Sequence, residues 1–358
     1  MVNLKEFENA LAHLAFPSQK TKGRLGLRET ENYFYDDDSI FEKRLDPFEI
    51  DSIKIINCKA FRRLANKTQV FPLPNNPHIR NRQQHTLEVL AIALPLAKFL
   101  GLNSALCQAI AYGHDIGHAP FGHFGEKYIS EFSGKPFNHA VNGVVIAQYI
   151  ERKGAGLNLC SETLQGILQH SRTNDPDLKI KKQTIQEISL VMLADKIAYA
   201  FADYNDAKRV GYIKEPNSSN IEAFGAYQRS RVATCFQAIV KESAQKGQIS
   251  FNASMEAKEF KILRQWLYEK IYKPINFDVQ KSYLDRLVEF LTTEKYFVGY
   301  DPFLLLSLLT DKEVFQFGEF CNTARIPAVE SLSNFGVIEI VPWLKDKNID
   351  FSKHGLNL

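Results

Sequence analysis

The sequence lacks the features that mark secreted, membrane and nucleic-acid-binding proteins. Its five cysteines are scattered and include no C-x-x-C pair, which predicts reduced, mostly core cysteines in a cytoplasmic protein. The longest apolar run, residues 89–96, contains a proline and is too short to span a bilayer. The first eight residues have no apolar segment typical of a signal peptide. The net charge of +3 does not indicate a nucleic-acid partner.

The chain also lacks internal repeats, low-complexity tracts and a clear linker. Its 358 residues are 45% hydrophobic and 24% charged, as in ordinary globular proteins. Apolar residues recur at helical spacing along most of the chain, so we expect a mainly α fold. The predicted organisation is an N-terminal extension (1–45), a helical core (46–215) and a mainly helical C-terminal portion packed on that core (216–358). One short strand is predicted over residues 335–343.

One stretch, Tyr112–Glu126, is rich in residue types that bind metal ions or transfer protons. Its fifteen residues include three histidines, two carboxylates and four glycines. The side chains of His114 and Asp115 point about 100° apart if both are helical, so they can bind one cation only near a helix end. Two further candidate ligands, His85 and Asp195, lie in other apolar helical stretches. Imidazole and carboxylate together suit Zn²⁺, Mn²⁺, Fe²⁺, Ni²⁺ or Mg²⁺.

The ordered set of His, His-Asp and Asp resembles the HD-domain metal phosphohydrolases. Four segments resemble the deoxynucleoside triphosphate (dNTP) triphosphohydrolases, the dGTPase-like branch of that superfamily: Phe61–Phe71, Arg80–Val89, His114–Glu126 and Leu193–Tyr199. The resemblance covers about residues 40–215. It implies an HD-domain helical core with additional C-terminal helices, and hydrolysis of dGTP or dNTPs broadly to deoxynucleoside plus inorganic triphosphate. It also implies a divalent metal ion bound by His85, His114, Asp115 and Asp195.

The resemblance assigns catalytic roles to four side chains. It implies that His123 and Glu126 form a catalytic dyad in which the carboxylate orients the imidazole. It places His118 at the triphosphate or leaving group and His139 facing the phosphates. Without the resemblance, His139 could equally be an ordinary histidine at the start of a helix.

Five further residues are assigned to the substrate. The resemblance places Arg82 and Lys196 on phosphate oxygens, where arginine binds as a fork and lysine as a point charge. Lys196 lies inside an apolar helix, where a merely solvated charge is not expected. Tyr199 and Asp203 continue along one face of that helix at four-residue spacing. The resemblance assigns Tyr199 to sugar or phosphate packing, and Asp203 with Gln69 to the sugar 3′-hydroxyl.

Two other functions are compatible with parts of the pattern. An HD-type nucleotide phosphomonoesterase or pyrophosphatase needs only the four metal ligands, so the histidines that follow Asp115 favour the triphosphohydrolase. A nucleotide-sensing or single-strand nucleic-acid-binding module has little support, because basic residues are dispersed without an aromatic platform. Relatives in the family imply a homo-oligomer, a hexamer by resemblance, and a dNTP effector.

Several residues receive no separate role from the sequence. His13, His78, His170 and His354 are interpreted as non-catalytic. Arg62, Arg63 and Lys67 belong to the family signature but have no assigned function.

Overall fold

The computed structural model describes residues 4–20, 45–72, 76–171, 185–213, 220–322, 336–339 and 341–347. Within these ranges the regular structure is helical, and the only extended pairing is an isolated antiparallel bridge between Thr68 and Asn81. The prediction of a mainly α fold is therefore confirmed. Each helix in these ranges is too short or too polar to cross a membrane.

Fourteen α-helices are numbered here in chain order among the described residues. They are α1 (Pro47–Asn57), α2 (Lys59–Arg63), α3 (Arg82–Leu100), α4 (Ser104–Gly113), α5 (Gly122–Ser133), α6 (His139–Val145), α7 (Ser161–Gln169), α8 (Gln186–Arg209), α9 (Gln228–Lys246), α10 (Met255–Leu267), α11 (Asp278–Thr293), α12 (Pro302–Leu308), α13 (Asp311–Asn322) and α14 (Val341–Leu344). Shorter 3₁₀ segments connect them, and π-helical turns extend α6 over Ile146–Ile150 and α10 over Tyr268–Tyr272.

The predicted strand over residues 335–343 is wrong where the structure describes it. Gly336–Glu339 forms a 3₁₀ turn and Val341–Leu344 a short α-helix, while Phe335 and Ile340 lie outside the described residues. A single strand cannot satisfy its backbone donors and acceptors without a neighbouring strand. In this segment the backbone donors and acceptors instead form local helical hydrogen bonds.

Local signals place the ends of the helices that carry the candidate site. The Asn81 side chain accepts a hydrogen bond from the Gln84 backbone N–H (2.8 Å) and so caps the start of α3. The same helix ends before Gly101, whose φ of +79° is the left-handed conformation that glycine adopts without penalty. Asn103 then caps α4 by accepting from the Leu106 N–H (3.1 Å).

Packing of α4 against four other helices brings the candidate ligands together. Helices α3, α4 and α8 pack against one another, and α4 also packs against α1 and α7. One hydrophobic core is formed mainly by α3, α4, α8, α9 and α10, and a second by α1, α2, the segment from α5 to α7 and the C-terminal helices. Tyr112, near the end of α4, packs against both cores. The His-Asp pair that follows α4 therefore lies between them.

All five cysteines are free, as the sequence predicts. Four are buried and Cys321 is half-buried.

The first residue of α13, Asp311, connects the C-terminal helices to the candidate site. Its buried carboxylate accepts hydrogen bonds from the Thr68 N–H (3.0 Å), the Thr68 hydroxyl and the Phe121 N–H (3.0 Å). Phe121 has a φ of +61°, a conformation that few residues other than glycine adopt. One carboxylate thus fixes both the segment after α2 and the start of α5.

We predict that Asp311→Ala lowers the free energy of unfolding by about 3 kcal/mol, since each buried donor left without an acceptor costs roughly 1–3 kcal/mol. Urea unfolding followed by circular dichroism measures the change. Lys312→Ala, an exposed neighbour on the same helix, is the matched control and should stay within about 0.5 kcal/mol. Equal unfolding midpoints for the two variants would contradict the role given to Asp311.

Candidate active site and cation-binding cluster

Six of the nine histidines form one continuous row of ring contacts. Successive ring centroids lie between 3.9 and 5.5 Å apart. In order along the row the residues are His85, His114, His170, His139, His118 and His123. The first five are buried, whereas the His123 side chain is 68% exposed. The row therefore runs from the interior to the surface.

The first part of the row could hold a divalent cation. Ligand atoms of His85, His114 and Asp115 all lie within 4.8 Å of one another. His114 Nδ1 donates to the Ala111 carbonyl (2.6 Å), which leaves a lone pair on His114 Nε2. That Nε2 atom is buried and has no hydrogen-bond partner in the described part of the chain. A buried acceptor with no donor is costly unless it binds an ion, so this donor set fits a metal.

Asp195 joins this group from α8. Its Oδ1 lies 3.0 Å from His85 Nε2, so the structure brings all four predicted metal ligands together. Burial alone would raise the pKa of Asp195, but the hydrogen bond and charge of His85 outweigh burial and hold that pKa well below its usual range. Burial likewise opposes ionisation of Asp115, yet His114 and His118 keep its pKa well below its usual range. Both carboxylates are thus available as charged ligands.

Glu126 orients two histidines of the row. Its Oε2 accepts from His123 Nδ1 (2.7 Å), and its Oε1 accepts from both His139 Nδ1 (2.5 Å) and the His139 N–H (2.7 Å). Although burial opposes both ionised forms, their mutual attraction lowers the pKa of Glu126 and raises that of His139. The pairing of His123 with Glu126 has the geometry that the sequence predicts. The second pairing, with His139, was not foreseen.

His118 lies between these two groups. Its ring stacks on that of His139 at a centroid distance of 3.9 Å, and its Nε2 is 3.3 Å from Asp115 Oδ1. Burial, followed by the charge of Arg82, lowers the pKa of His118 well below its usual range. The four predicted catalytic side chains therefore contact one another, and His118 connects them to Asp115 of the cation-binding group.

His170, interpreted from the sequence as non-catalytic, belongs to this cluster. Its Nδ1 donates to the Ile167 carbonyl (2.7 Å), and its Nε2 lies 3.2 Å from His139 Nε2. Its place directly after a helix resembles that of His114, but the sequence has no adjacent carboxylate to distinguish it. Each also bonds back to the carbonyl three residues earlier.

The two predicted phosphate-binding cations lie beside the cation-binding group. Arg82 Nη1 donates to Asp115 Oδ2 (2.9 Å), while Arg82 Nε is buried and has no hydrogen-bond partner within the ranges that the structure describes. Lys196 is buried next to Asp195 on α8.

The predicted sugar-binding residues contact side chains that the sequence did not identify. The Tyr199 hydroxyl accepts from Arg264 Nε (3.1 Å), and Asp203 accepts from the Tyr272 hydroxyl (2.7 Å) and from Arg80. These partners come from α10, its π-helical extension and the segment before α3.

Gln69 lies next to Thr68, the residue that Asp311 fixes. Its Oε1 is buried and has no hydrogen-bond partner among the described residues. The shared role at one sugar hydroxyl that the sequence assigns to Gln69 and Asp203 stays a prediction.

The loop between α4 and α5 is held by close backbone contacts. The buried Lys67 Nζ donates to the His118 carbonyl, and burial together with Arg63 lowers the pKa of Lys67 to about 7. A Cβ atom on Gly117 would lie only 2.1 Å from both Gly143 N and the His139 carbonyl oxygen. Glycine at 117 is thus needed for the loop to approach α6, which carries His139.

Comparison with known proteins gives two findings. The HD domain family matches residues 82–200. Three relatives carry the name deoxyguanosinetriphosphate triphosphohydrolase-like protein. Those from Caldanaerobacter subterraneus and Desulfatibacillum aliphaticivorans are each 37% identical to this chain over 63% of its length. The chain spans 65% of the length of the first and 66% of the length of the second, just under two thirds of each. The relative from Clostridium perfringens is 38% identical over 66% of this chain and 72% of its own length.

We predict that His114→Ala lowers bound Mn²⁺ by one equivalent per chain, because the variant removes a buried imidazole lone pair from the cation-binding group. Elemental analysis after removal of free metal gives the stoichiometry. His78→Ala, which changes an exposed histidine outside the row, is the matched control and should retain the full content. Unchanged metal content in His114→Ala would exclude His114 as a ligand.

Proposed function

The chain belongs to the deoxyguanosinetriphosphate triphosphohydrolase-like family of HD-domain proteins, and we propose that it hydrolyses dNTPs, dGTP or dNTPs broadly, to deoxynucleoside and inorganic triphosphate. The observation that carries this proposal is the union of two features in one site. A donor set suited to a divalent cation is continuous with a row of histidines and bonds the buried Arg82 side chain. When triphosphate is the leaving group, hydrolysis needs a cation at the phosphorus atom that is attacked and protein side chains that bind the rest of the triphosphate.

The divalent cation, held by His85, His114, Asp115 and Asp195, would polarise a phosphoryl oxygen and lower the pKa of bound water. The geometry leaves the identity of the ion open among those that imidazole and carboxylate ligands accept.

Arg82 and Lys196 supply positive charge for the triphosphate. Arg82 uses Nη1 to bond Asp115, and its buried Nε has no partner among the residues described, so that Nε can donate to a phosphate oxygen. Lys196 is buried and follows Asp195 on α8. Charge on the departing triphosphate is then neutralised along its length, which lowers the barrier for release in one step.

Glu126 prepares His123 for proton transfer. Because Glu126 holds Nδ1 of His123, the Nε2 atom of that ring is left to serve the substrate. When the P–O5′ bond breaks, the sugar oxygen needs a proton, and protonated His123 can donate one from Nε2. The exposure of His123 gives a bound nucleotide access to this ring. His139 and His118, buried beside it, face the phosphates.

The deoxyribose is proposed to bind near Tyr199, Asp203 and Gln69. Among the described residues each oxygen of Asp203 has one donor, Arg80 or Tyr272, and a carboxylate oxygen accepts more than one hydrogen bond. Asp203 can therefore still accept from a sugar hydroxyl. Tyr199, whose hydroxyl bonds Arg264, would pack against the sugar ring and favour substrates that lack a 2′-hydroxyl.

Activation by a dNTP effector and assembly into a homo-oligomer such as a hexamer stay predictions from the family resemblance. A cytoplasmic location stays a prediction from the scattered cysteines.

We predict that each accepted dNTP yields deoxynucleoside and inorganic triphosphate in equal amounts. Chromatography and ³¹P NMR of reactions with Mn²⁺ or Mg²⁺ identify the products, with His114→Ala as the inactive control. In ¹⁸O-labelled water the label should enter the triphosphate, on the phosphorus that had been attached to the sugar. Accumulation of dNMP and pyrophosphate would instead identify a pyrophosphatase, and hydrolysis of dNMP a phosphomonoesterase.

We predict that His123→Ala and Glu126→Ala each lower kcat by roughly 10²–10⁴-fold, the usual contribution of a general acid–base group, and retain bound metal. The double variant should be no slower than the slower single variant, because the two side chains act as one unit. His13→Ala, an exposed histidine far from the row in sequence, is the matched control. Near-normal turnover in both single variants would place the proton donor elsewhere in the row.

A further inference from the structure

We propose that Arg80 is a positioning residue for recognition of the sugar 3′-hydroxyl. It orients the Asp203 carboxylate and so determines how strongly the site prefers a dNTP over a 2′,3′-dideoxynucleotide. This inference deepens the proposed function, since it rests on the role proposed for Asp203 and Gln69 at that hydroxyl. Arg80 opens one of the four segments that resemble the family, and no role follows for it from the sequence.

Each nitrogen of the Arg80 guanidinium donates to a different carboxylate. Nη2 donates to Asp203 Oδ1, Nε to Asp206 Oδ2 (2.8 Å) and Nη1 to Glu88 Oε2 (2.8 Å). The side chain of Arg80 is only 7% exposed, and those of Asp203 and Asp206 are also buried. Because the donors of this planar group point in fixed directions, the three bonds hold the guanidinium in one orientation.

The Asp203 carboxylate is held at both of its oxygens. Oδ1 accepts from Arg80, and Oδ2 accepts from the Tyr272 hydroxyl (2.7 Å). Donors on opposite oxygens prevent rotation about the Cβ–Cγ bond, so the remaining lone pairs keep fixed directions. Burial raises the pKa of Asp203, and the charge of Arg80 opposes that rise. Arg80 therefore favours the ionised carboxylate, which is the stronger acceptor for a hydroxyl.

The backbone of Arg80 lies next to the second proposed ligand of the hydroxyl. The isolated antiparallel bridge pairs Thr68 with Asn81, and in that register Gln69 and Arg80 are opposite each other. One residue therefore connects the segment that carries Gln69 to α8, the helix that carries Asp203.

Two other roles for Arg80 can be separated from this one by experiment. If Arg80 bound the triphosphate, its replacement would weaken dNTPs and dideoxynucleotides alike, because both carry the same triphosphate. If Arg80 only stabilised the fold, its replacement would lower the fraction of active enzyme and again affect both substrates equally. The ratio of the two kcat/KM values, measured on one preparation, therefore reports on the 3′-hydroxyl alone.

The test compares kcat/KM for the best dNTP substrate with that for its 2′,3′-dideoxy counterpart in the full-length protein. We expect the unchanged protein to prefer the dNTP by roughly 10- to 100-fold, the usual contribution of a hydrogen bond to a charged group. Arg80→Lys retains the charge but not the planar fork. It should reduce the preference to less than about 3-fold and leave kcat/KM for the dideoxynucleotide within about 3-fold of its original value. Circular dichroism verifies that each variant is folded.

Arg209→Lys is the matched control for this comparison. Arg209 Nη1 also donates to Asp206 (2.7 Å), but from an exposed position on the last turn of α8. The same chemical change at this residue should therefore retain the full preference for the dNTP. Loss of the preference in both variants would overturn the specific role of Arg80.

A double-variant cycle tests whether Arg80 acts through Asp203. Asp203→Ala should reduce the preference at least as far as Arg80→Lys does, because it removes the acceptor itself. The double variant should match Asp203→Ala, since the two residues act as one unit. A still lower preference in the double variant would mean that Arg80 affects the sugar by another route, and would overturn the inference.

The remaining outcomes separate this inference from the proposed function. A full preference in Arg80→Lys, or an equal loss of activity on both substrates, would overturn the inference while hydrolysis of dNTPs to triphosphate still stood. If Arg80→Lys did not fold, Glu88→Ala would decide instead, because it removes the most exposed of the three carboxylates that hold Arg80. A full preference in Glu88→Ala would then overturn the inference. If the unchanged protein hydrolysed no dNTP, the proposed function would be rejected together with the inference.

Discussion

The buried carboxylate of Asp115 is the contact on which the rest of the site depends. It bonds Arg82, lies within 3.5 Å of His114 and His118, and belongs to the cation-binding group. A buried charge is tolerated only where such partners surround it. The partners come from the start of α3, the end of α4 and the loop after it, so the packing of these elements and the ionisation of one side chain depend on each other.

Much of this site could be predicted because its residues follow local patterns. The ligands His85 and Asp195 lie on apolar helices that must pack against something, and the His-Asp pair directly follows a third. His170 could not be separated from an ordinary histidine in the same way. It follows an amphipathic helix and has no adjacent carboxylate. Only the packing of α7 beside α4 and α6 brings it into the row.

The hydrogen bonds that hold the site residues in place could not be predicted, because they join distant parts of the chain. Lys67 belongs to a recognisable signature, yet its bond to the His118 carbonyl depends on a loop conformation that no local pattern specifies. Asp311 lies in a portion of the chain that resembles the family only loosely. The strand predicted over residues 335–343 failed for a related reason, since strand formation depends on a neighbouring strand that periodicity cannot reveal.

The hydrogen bonds that Asp311 accepts from Thr68 and Phe121 also affect how the sequences of such proteins can diverge in evolution. The HD domain match covers residues 82–200, which include every proposed metal ligand but neither Thr68 nor Asp311. Two descendants of a common ancestor could therefore retain identical ligands while substitutions in α13 altered the position of the loop histidines. Natural selection on turnover could act on that helix, and an alignment restricted to the ligand-bearing segment would record no difference between the two lineages.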